Sequence, residues 1–141
     1  MQKMKTTGKL KTTGLSREPI LDVYKAVMRG RRVDERLWQL TRIGKFSFNI
    51  SGQGAEVGQA AMALAFDYDK DYFLPYYRDL TAVLMWGMTT KDIMLAGFGK
   101  EADPASHGRQ MPSHYGSKAH NIVSHSSPVS TQYPISAGIA Y

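Results

Sequence analysis

The stretch Leu74-Pro75-Tyr76-Tyr77-Arg78-Asp79 organises this chain, because it sets one arginine and two tyrosine hydroxyls where an extended segment gives way to a helix. A guanidinium and phenol hydroxyls donate hydrogen bonds in fixed directions, which suits a phosphate group. The alternative for Arg78 is an ordinary surface ion pair with Asp79. The sequence pattern by itself leaves both interpretations open.

A second stretch, Ser126-Ser127-Pro128-Val129-Ser130-Thr131-Gln132, repeats this chemistry at the start of another helix. Serine hydroxyls and the unpaired amides of a first helical turn together form an anion site. The alternative is that a serine of this stretch only caps the helix. The two stretches therefore raise the question of whether they share one ligand.

The composition is that of an ordinary globular chain. Hydrophobic residues make up 43% and charged residues 21% of the 141 residues, which is enough for one hydrophobic core and unlike a disordered chain. The chain has no cysteine, and this excludes a disulfide framework, thiolate catalysis and thiolate zinc sites.

The net charge of +6 comes from the N-terminal end. Residues 1–17 contain five basic residues and no acid, so the basic residues that follow are nearly balanced by the 12 acids. We expect a flexible basic arm at 1–17 and no nucleic-acid partner. No apolar run is long enough for a membrane span, and so we expect no membrane association and a cytoplasmic location. A targeting peptide in the arm would instead indicate the mitochondrial matrix.

Apolar spacing predicts one long helix or a kinked pair from about residue 19 to 43, capped by Ser16 and ended by Gly44. Its arginines resemble an anion track, but a solvated face paired with Asp34 and Glu35 is the preferred interpretation. Further helices are predicted at 56–66, after Asp79 or Thr81, after Thr89 or Thr90, and from about 130 to 140. The alanine-rich helix at 56–66 is expected to be buried. Extended segments are predicted at 45–50, 72–77 and 122–123.

Residues 99–121 show no periodicity, and a loop of this length is more typical of a functional segment. The four histidines at 107, 114, 120 and 125 are spaced unlike metal ligands, so we interpret them as scattered loop residues. Residues 67–71 begin like a calcium loop. However, Tyr72 replaces the required glycine and Arg78 the closing glutamate, which favours a solvated connection.

Six blocks occur in one fixed order from about residue 22 to 141: Arg32-Val33-Asp34-Glu35-Arg36, Arg42-Ile43-Gly44-Lys45, Gly52-Gln53-Gly54-Ala55-Glu56, Tyr76-Tyr77-Arg78-Asp79, Gly108-Arg109-Gln110-Met111-Pro112-Ser113-His114-Tyr115-Gly116, and Ser126-Ser127-Pro128-Val129-Ser130-Thr131-Gln132. Together they resemble the alpha subunit of the thiamine-diphosphate-dependent decarboxylating component of 2-oxoacid dehydrogenase complexes. The last two blocks are more similar to the branched-chain (2-oxoisovalerate) subgroup than to the pyruvate subgroup.

The resemblance implies an α/β thiamine-diphosphate-binding fold, a parallel sheet flanked by helices. Residues 18–141 would be its helical N-terminal region and first strands. Because the last helix stops at Tyr141 without a capping residue, we expect a piece of a longer, C-terminally truncated domain.

By the same resemblance, the cofactor is thiamine diphosphate, and its cleft is lined by Tyr77, Arg78, Ser127, Val129, Tyr76 and Phe48. Tyr77 and Arg78 would contact the diphosphate, and Phe48 and Tyr76 would lie near the cofactor and the acyl pocket. The implied potassium ligands are Ser126, Pro128, Thr131 and Gln132. The magnesium ligands are expected beyond residue 141, and no catalytic residue is assigned within this chain.

The implied activity is oxidative decarboxylation of the branched-chain 2-oxoacids derived from valine, leucine and isoleucine, with acyl transfer to a lipoyl group. The implied partners are a beta subunit, in an alpha2beta2 heterotetramer, and a lipoyl-bearing acyltransferase core. We expect the 141-residue chain to be inactive by itself. The alternatives are a pyruvate or acetoin dehydrogenase alpha subunit, and a non-catalytic fragment that only docks on partner subunits.

Overall fold

A computed structural model describes Gly14 and residues 16–141, and most of the predicted basic arm therefore lies outside the described residues. The described chain forms five α-helices: α1 (Arg17–Arg42), α2 (Glu56–Leu64), α3 (Leu80–Met85), α4 (Thr90–Gly97) and α5 (Gln132–Ala140). A single 3₁₀ turn, Lys118–His120, interrupts the long loop before α5. Helices α1, α2 and α3 pack against one another in all three pairs.

Helix α1 confirms the predicted long helix as one continuous element. Its buried residues are Gly30, Val33, Asp34, Leu37 and Leu40, spaced so that they form one stripe along the helix. Gly30 does not break the helix, and α3 approaches α1 closely at this position. A Cβ atom at Gly30 would lie 2.1 Å from the Oγ1 of Thr81.

Both ends of α1 lie close to their predicted positions. Ser16 occupies the N-cap position, but its side chain makes no capping hydrogen bond. Gly44 follows the helix with a φ of 69°, the left-handed conformation that glycine adopts most readily, and its amide donates to the carbonyl of Thr41. Phe46 then turns inward and packs edge-to-face on Phe98, with ring centroids 5.6 Å apart.

The prediction that Asp34 pairs with an arginine on the surface of α1 is wrong. Asp34 is buried, and its carboxylate accepts hydrogen bonds from Asn49 Nδ2 at 2.6 Å and from the hydroxyl of Ser51. The partner expected for Glu35 is present, because Glu35 pairs with Arg32 at 3.0 Å. Asp34 therefore fastens the loop after α1 to the helix.

The expectation that helix α2 is buried holds for one of its faces. Its buried residues are Glu56, Gln59, Ala60 and Ala63, whereas Val57, Met62 and Leu64 are exposed. The Nε of Arg31 in α1 donates to Glu56 at 2.6 Å. This bond lowers the pKa of Glu56, although burial opposes the shift.

The predicted extended segments do not form strands in the described part of the chain. Segments 72–77 and 122–123 meet only at one isolated parallel bridge, Phe73 to Ile122. The amide of Phe73 donates to Asn121 O at 3.0 Å, and the amide of Val123 donates to Phe73 O at 2.8 Å. Pro75 has no amide with which to extend this ladder. The parallel sheet of the expected fold thus stays a prediction.

The core lies between α1, α3, α4 and the Phe73 bridge. Trp86 stacks on Phe73 with ring centroids 4.7 Å apart, and its indole nitrogen donates to His120 O at 2.9 Å. Among the helices of Gly14 and residues 16–141, none combines the length and apolar character needed to cross a lipid bilayer.

Candidate functional site

The Tyr76–Asp79 segment forms a tight turn that fixes the directions of its side chains. The amide of Asp79 donates to Tyr76 O at 2.9 Å, and the Asp79 carboxylate accepts from the Tyr76 amide at 2.8 Å. Burial raises the pKa of Asp79, and the bond from the Tyr76 amide opposes that shift. The carboxylate of Asp79 thus bonds within the turn, and it does not form the surface ion pair with Arg78.

Arg78 is held from two sides while its guanidinium remains exposed. Its Nη1 donates to the backbone carbonyl of Ser51 at 3.0 Å, and its Cζ atom lies 5.4 Å from the centre of the Tyr77 ring. The carbonyl of Arg78 accepts from Gln59 Nε2 at 2.9 Å, and Gln59 also accepts from the amide of Thr81 at 3.0 Å. Helix α2 therefore positions the turn that carries the arginine.

The two tyrosines form a half-buried pair beside Arg78. Their ring centroids lie 3.8 Å apart and their hydroxyls are hydrogen-bonded to each other, which raises the pKa of Tyr76. Tyr115 lies behind them, fully buried, and its hydroxyl donates to Tyr77 O at 3.4 Å. Burial raises the pKa of Tyr115, so it acts as a neutral hydrogen-bond donor.

The second predicted stretch lies against the first. The Nε2 of Gln132 donates to Pro75 O at 3.4 Å, and Thr131 Oγ1 donates to Pro128 O at 2.8 Å. Ser127 is half-buried and bonds to the Nε2 of His114 at 2.5 Å. The structure therefore brings together the tyrosine–arginine turn, the histidine-bearing loop and the serine-rich turn.

The remaining residues that were predicted to bind the cofactor or potassium differ in how exposed they are and in what surrounds them. Val129 is 77% exposed, and Ser126 and Pro128 are also exposed. Helix α5 begins at Gln132 because Ser130 adopts a φ of 71°, outside the helical region. Phe48 lines a pocket of about 460 Å³ together with residues 96–99 and 108–112, and this lining includes neither Tyr77 nor Arg78.

Several residues that position the site were missed by the sequence analysis. Ser51 and Gln59 reach the site only through tertiary contacts, and no local pattern marks them. His114 stands in one of the six blocks, but its contact with Ser127 joins residues 13 positions apart. Asp103 could have been identified from the local sequence, because an aspartate at the start of a turn typically accepts hydrogen bonds from the amides of the residues that follow it. It is buried and accepts from the amides of Ala105, Ser106 and Gly108, which shapes the loop toward the Phe48 pocket.

The donor set at this site fits a diphosphate. A guanidinium carries five N–H donors, of which the bond to Ser51 uses one, and the Tyr77 hydroxyl, which accepts from Tyr76, adds a neutral donor. Ser127 adds a hydroxyl that is bonded to His114 Nε2. Within the described residues, no group of three or more histidines and carboxylates is close enough to hold a metal ion. The guanidinium and hydroxyl donors are of the kind that can bind an anion.

Comparison with known proteins adds a family match. The family model described as "Dehydrogenase E1 component" matches residues 24–141. The 2-oxoisovalerate dehydrogenase subunit alpha of Bacillus subtilis (strain 168) is 50% identical over 135 residues, which cover 96% of this chain and 41% of that protein.

Eukaryotic proteins that are also named 2-oxoisovalerate dehydrogenase subunit alpha match the chain at lower identity. The mitochondrial 2-oxoisovalerate dehydrogenase subunit alpha 1 of Arabidopsis thaliana is 40% identical over 110 residues, 77% of this chain and 23% of that protein. The mitochondrial human subunit alpha is 33% identical over 127 residues, 90% of this chain and 28% of that protein. The chain thus spans less than half the length of these curated relatives.

Proposed function

The chain belongs to the dehydrogenase E1 component family, and from this membership we propose that it serves as an alpha subunit in the oxidative decarboxylation of branched-chain 2-oxoacids. The names of its relatives in bacteria and eukaryotes support this substrate class. A pyruvate or acetoin substrate is the alternative within the family, and the 2-oxoacid that the assembled enzyme turns over fastest distinguishes them.

We propose that Arg78, Tyr77 and Ser127 bind the diphosphate of thiamine diphosphate. When bound, this cofactor supplies the electron sink for the loss of carbon dioxide. The single observation that carries the assignment is the arrangement of Arg78, which is oriented by Ser51 O and is not neutralised by Asp79. The guanidinium attracts the doubly negative group, and the hydroxyls orient it.

Other residues of the site have less direct proposed roles. The backbone of Val129 lines the cleft, and Tyr76 supports Tyr77 through their paired hydroxyls. The Phe48 pocket, by contrast, is proposed to lie near the acyl group.

We also propose that oxygen atoms of Ser126, Pro128, Thr131 and Gln132 hold a potassium ion. The bond from Thr131 Oγ1 to Pro128 O shows that two of these residues already lie together. Magnesium would be bound through residues outside this set. Replacing potassium chloride by sodium chloride at equal ionic strength should weaken cofactor binding, and equal affinity in both salts would contradict the potassium site.

The proposed partners are a beta subunit and a lipoyl-bearing acyltransferase core. Exposed apolar side chains on α2 and α5, among them Val57, Met62, Tyr133 and Ile139, support docking on another subunit. Co-purification with the beta subunit without thiamine-dependent activity would favour the alternative of a non-catalytic docking fragment. We propose a cytoplasmic location; cell fractionation tests it against the mitochondrial matrix, which the names of the eukaryotic relatives suggest.

The cofactor assignment is tested by calorimetric titration of the chain, co-purified with its beta subunit, with thiamine diphosphate. We expect Arg78→Gln to raise the dissociation constant at least about tenfold, because charge-assisted hydrogen bonds are worth about 1.5–3 kcal/mol. The matched control is Arg36→Gln on α1, where Arg36 donates to Gln39 and, among the described residues, makes no contact with Arg78. Equal affinities of the Arg78 and Arg36 variants would refute the assignment.

A further inference from the structure

His114 connects two of the three segments that form the site. It is 9% exposed, and its Nε2 lies 2.5 Å from Ser127 Oγ. On the opposite side of the ring, its Nδ1 lies 3.3 Å from Pro112 O. Both ring nitrogens are therefore engaged, one by backbone and one by a side chain.

These two contacts fix the position of the hydrogens. A carbonyl oxygen can only accept, so Nδ1 of His114 must carry the hydrogen that is donated to Pro112 O. In a neutral imidazole, Nε2 is then a bare acceptor, and the hydroxyl of Ser127 must donate to it. The single hydrogen of Ser127 is used in this bond, and only the lone pairs of its oxygen face outward.

The ring of His125 packs against the ring of His114. The rings of His114 and His125 are stacked with centroids 5.1 Å apart and planes 7° apart, and neither nitrogen of the buried His125 has a hydrogen-bond partner. His125 therefore packs on His114 through its ring face, and its nitrogens do not compete for Ser127.

We infer that His114 is a positioning residue that sets the hydrogen-bond polarity of Ser127, and that a diphosphate oxygen binds this hydroxyl only when Nε2 of His114 becomes the donor. The ionised oxygens of a diphosphate only accept hydrogen bonds, so they are repelled by the lone pairs that Ser127 presents without a ligand. Once Nε2 takes a proton from solvent, it donates to Ser127 Oγ and releases the hydroxyl hydrogen to the ligand. This inference rests on the proposed role of Ser127 in diphosphate binding.

Nitrogen-15 NMR of the histidine-labelled chain tests the hydrogen positions directly, with His114→Gln used to assign the signals. Without ligand we expect a protonated Nδ1 and a bare Nε2 at His114. Saturation with inorganic pyrophosphate should turn Nε2 into a protonated nitrogen. A protonated Nε2 in the ligand-free chain, or a bare Nε2 in the pyrophosphate complex, would overturn the inference.

Calorimetry of pyrophosphate binding then tests the consequence for affinity. His114→Gln retains an amide that can donate to Ser127, so its dissociation constant should stay within about threefold of wild type, whereas His114→Phe should raise it about tenfold, or about 1.4 kcal/mol. The control His125→Phe keeps the stacked ring and should bind like wild type.

The outcomes separate this inference from the proposed function. If His114→Phe binds pyrophosphate as tightly as wild type, the positioning role is refuted and the diphosphate site stands. If wild type binds no pyrophosphate, the proposed diphosphate site is refuted, and so is the inferred donation by His114 Nε2 in the complex. The ligand-free NMR spectrum decides the inferred hydrogen positions in every case, because it is read from the wild-type chain and uses His114→Gln only to assign the His114 signals.

Discussion

At the scale of single residues, Gly30 determines how closely two helices approach. It lies in the middle of α1, where alanine would ordinarily favour the helix, yet the side chain of Thr81 fills the space that a Cβ atom would need. Any larger residue at this position must displace the Thr81 side chain or push α3 away from α1, and α3 directly follows the turn that carries Arg78.

We therefore expect Gly30→Ala to lower the free energy of unfolding by about 1–3 kcal/mol, because overpacking outweighs the gain in helix propensity. Gly58→Ala is the matched control, since a Cβ atom at Gly58 in α2 meets nothing within 4 Å. That variant should be neutral or stabilised by up to about 1 kcal/mol. Urea unfolding followed by circular dichroism measures both, and equal changes in the two variants would contradict the close-approach argument.

The candidate site could be predicted in part at this scale. Arg78, Tyr77 and Ser127 were identified because their side chains carry the chemistry and stand in a recognisable order. The residues that hold them could not be identified in this way, since Ser51 and Gln59 act through contacts with residues 27 and 19 positions away. Asp34 was misjudged for the same reason, because its burial depends on the loop that folds over it.

At the scale of elements, helices were predictable and extended segments were not. Helix α1 has a strong apolar period, and α4 has a capping box in which Thr89 and Asp92 exchange hydrogen bonds. Each of these signals is carried by residues that lie close together in the sequence. Extended pairing instead depends on a distant partner, and at Phe73 that pairing is limited to one bridge.

Thr89→Ala should lower the free energy of unfolding by about 1 kcal/mol, because the Asp92 amide at the start of α4 loses its acceptor. Ser16→Ala is the control, since Ser16 occupies the same position on α1 without a capping bond. We expect the control to differ from wild type by less than about 0.5 kcal/mol. Thermal and urea unfolding measure both variants, and a loss of similar size in the two would show that the capping bond is unimportant.

At the scale of the whole molecule, His125 makes stability depend on pH. Its pKa is about 4 in the folded chain and 6.5 as the ordinary value, so only the unfolded chain takes up this proton between those values. The free energy of unfolding should fall as the pH is lowered from 6.5 to 4, by up to about 1.4 kcal/mol per pH unit from this residue.

Urea unfolding at pH 4, 5, 6 and 7 measures this dependence in wild type and in His125→Phe. The phenylalanine keeps an aromatic ring on His114 but cannot be protonated, so its curve should be shallower over the acidic range. Parallel curves for the two proteins would show that another group causes the acid sensitivity.

The bond from Arg78 to Ser51 has a consequence for how the sequence can change. Its acceptor is a main-chain oxygen, which every amino acid has, whereas the Ser51 hydroxyl is engaged separately with Asp34. Replacements at position 51 can thus loosen the loop without removing the acceptor that orients the arginine. Related chains could differ at this position and still present the guanidinium in the same direction.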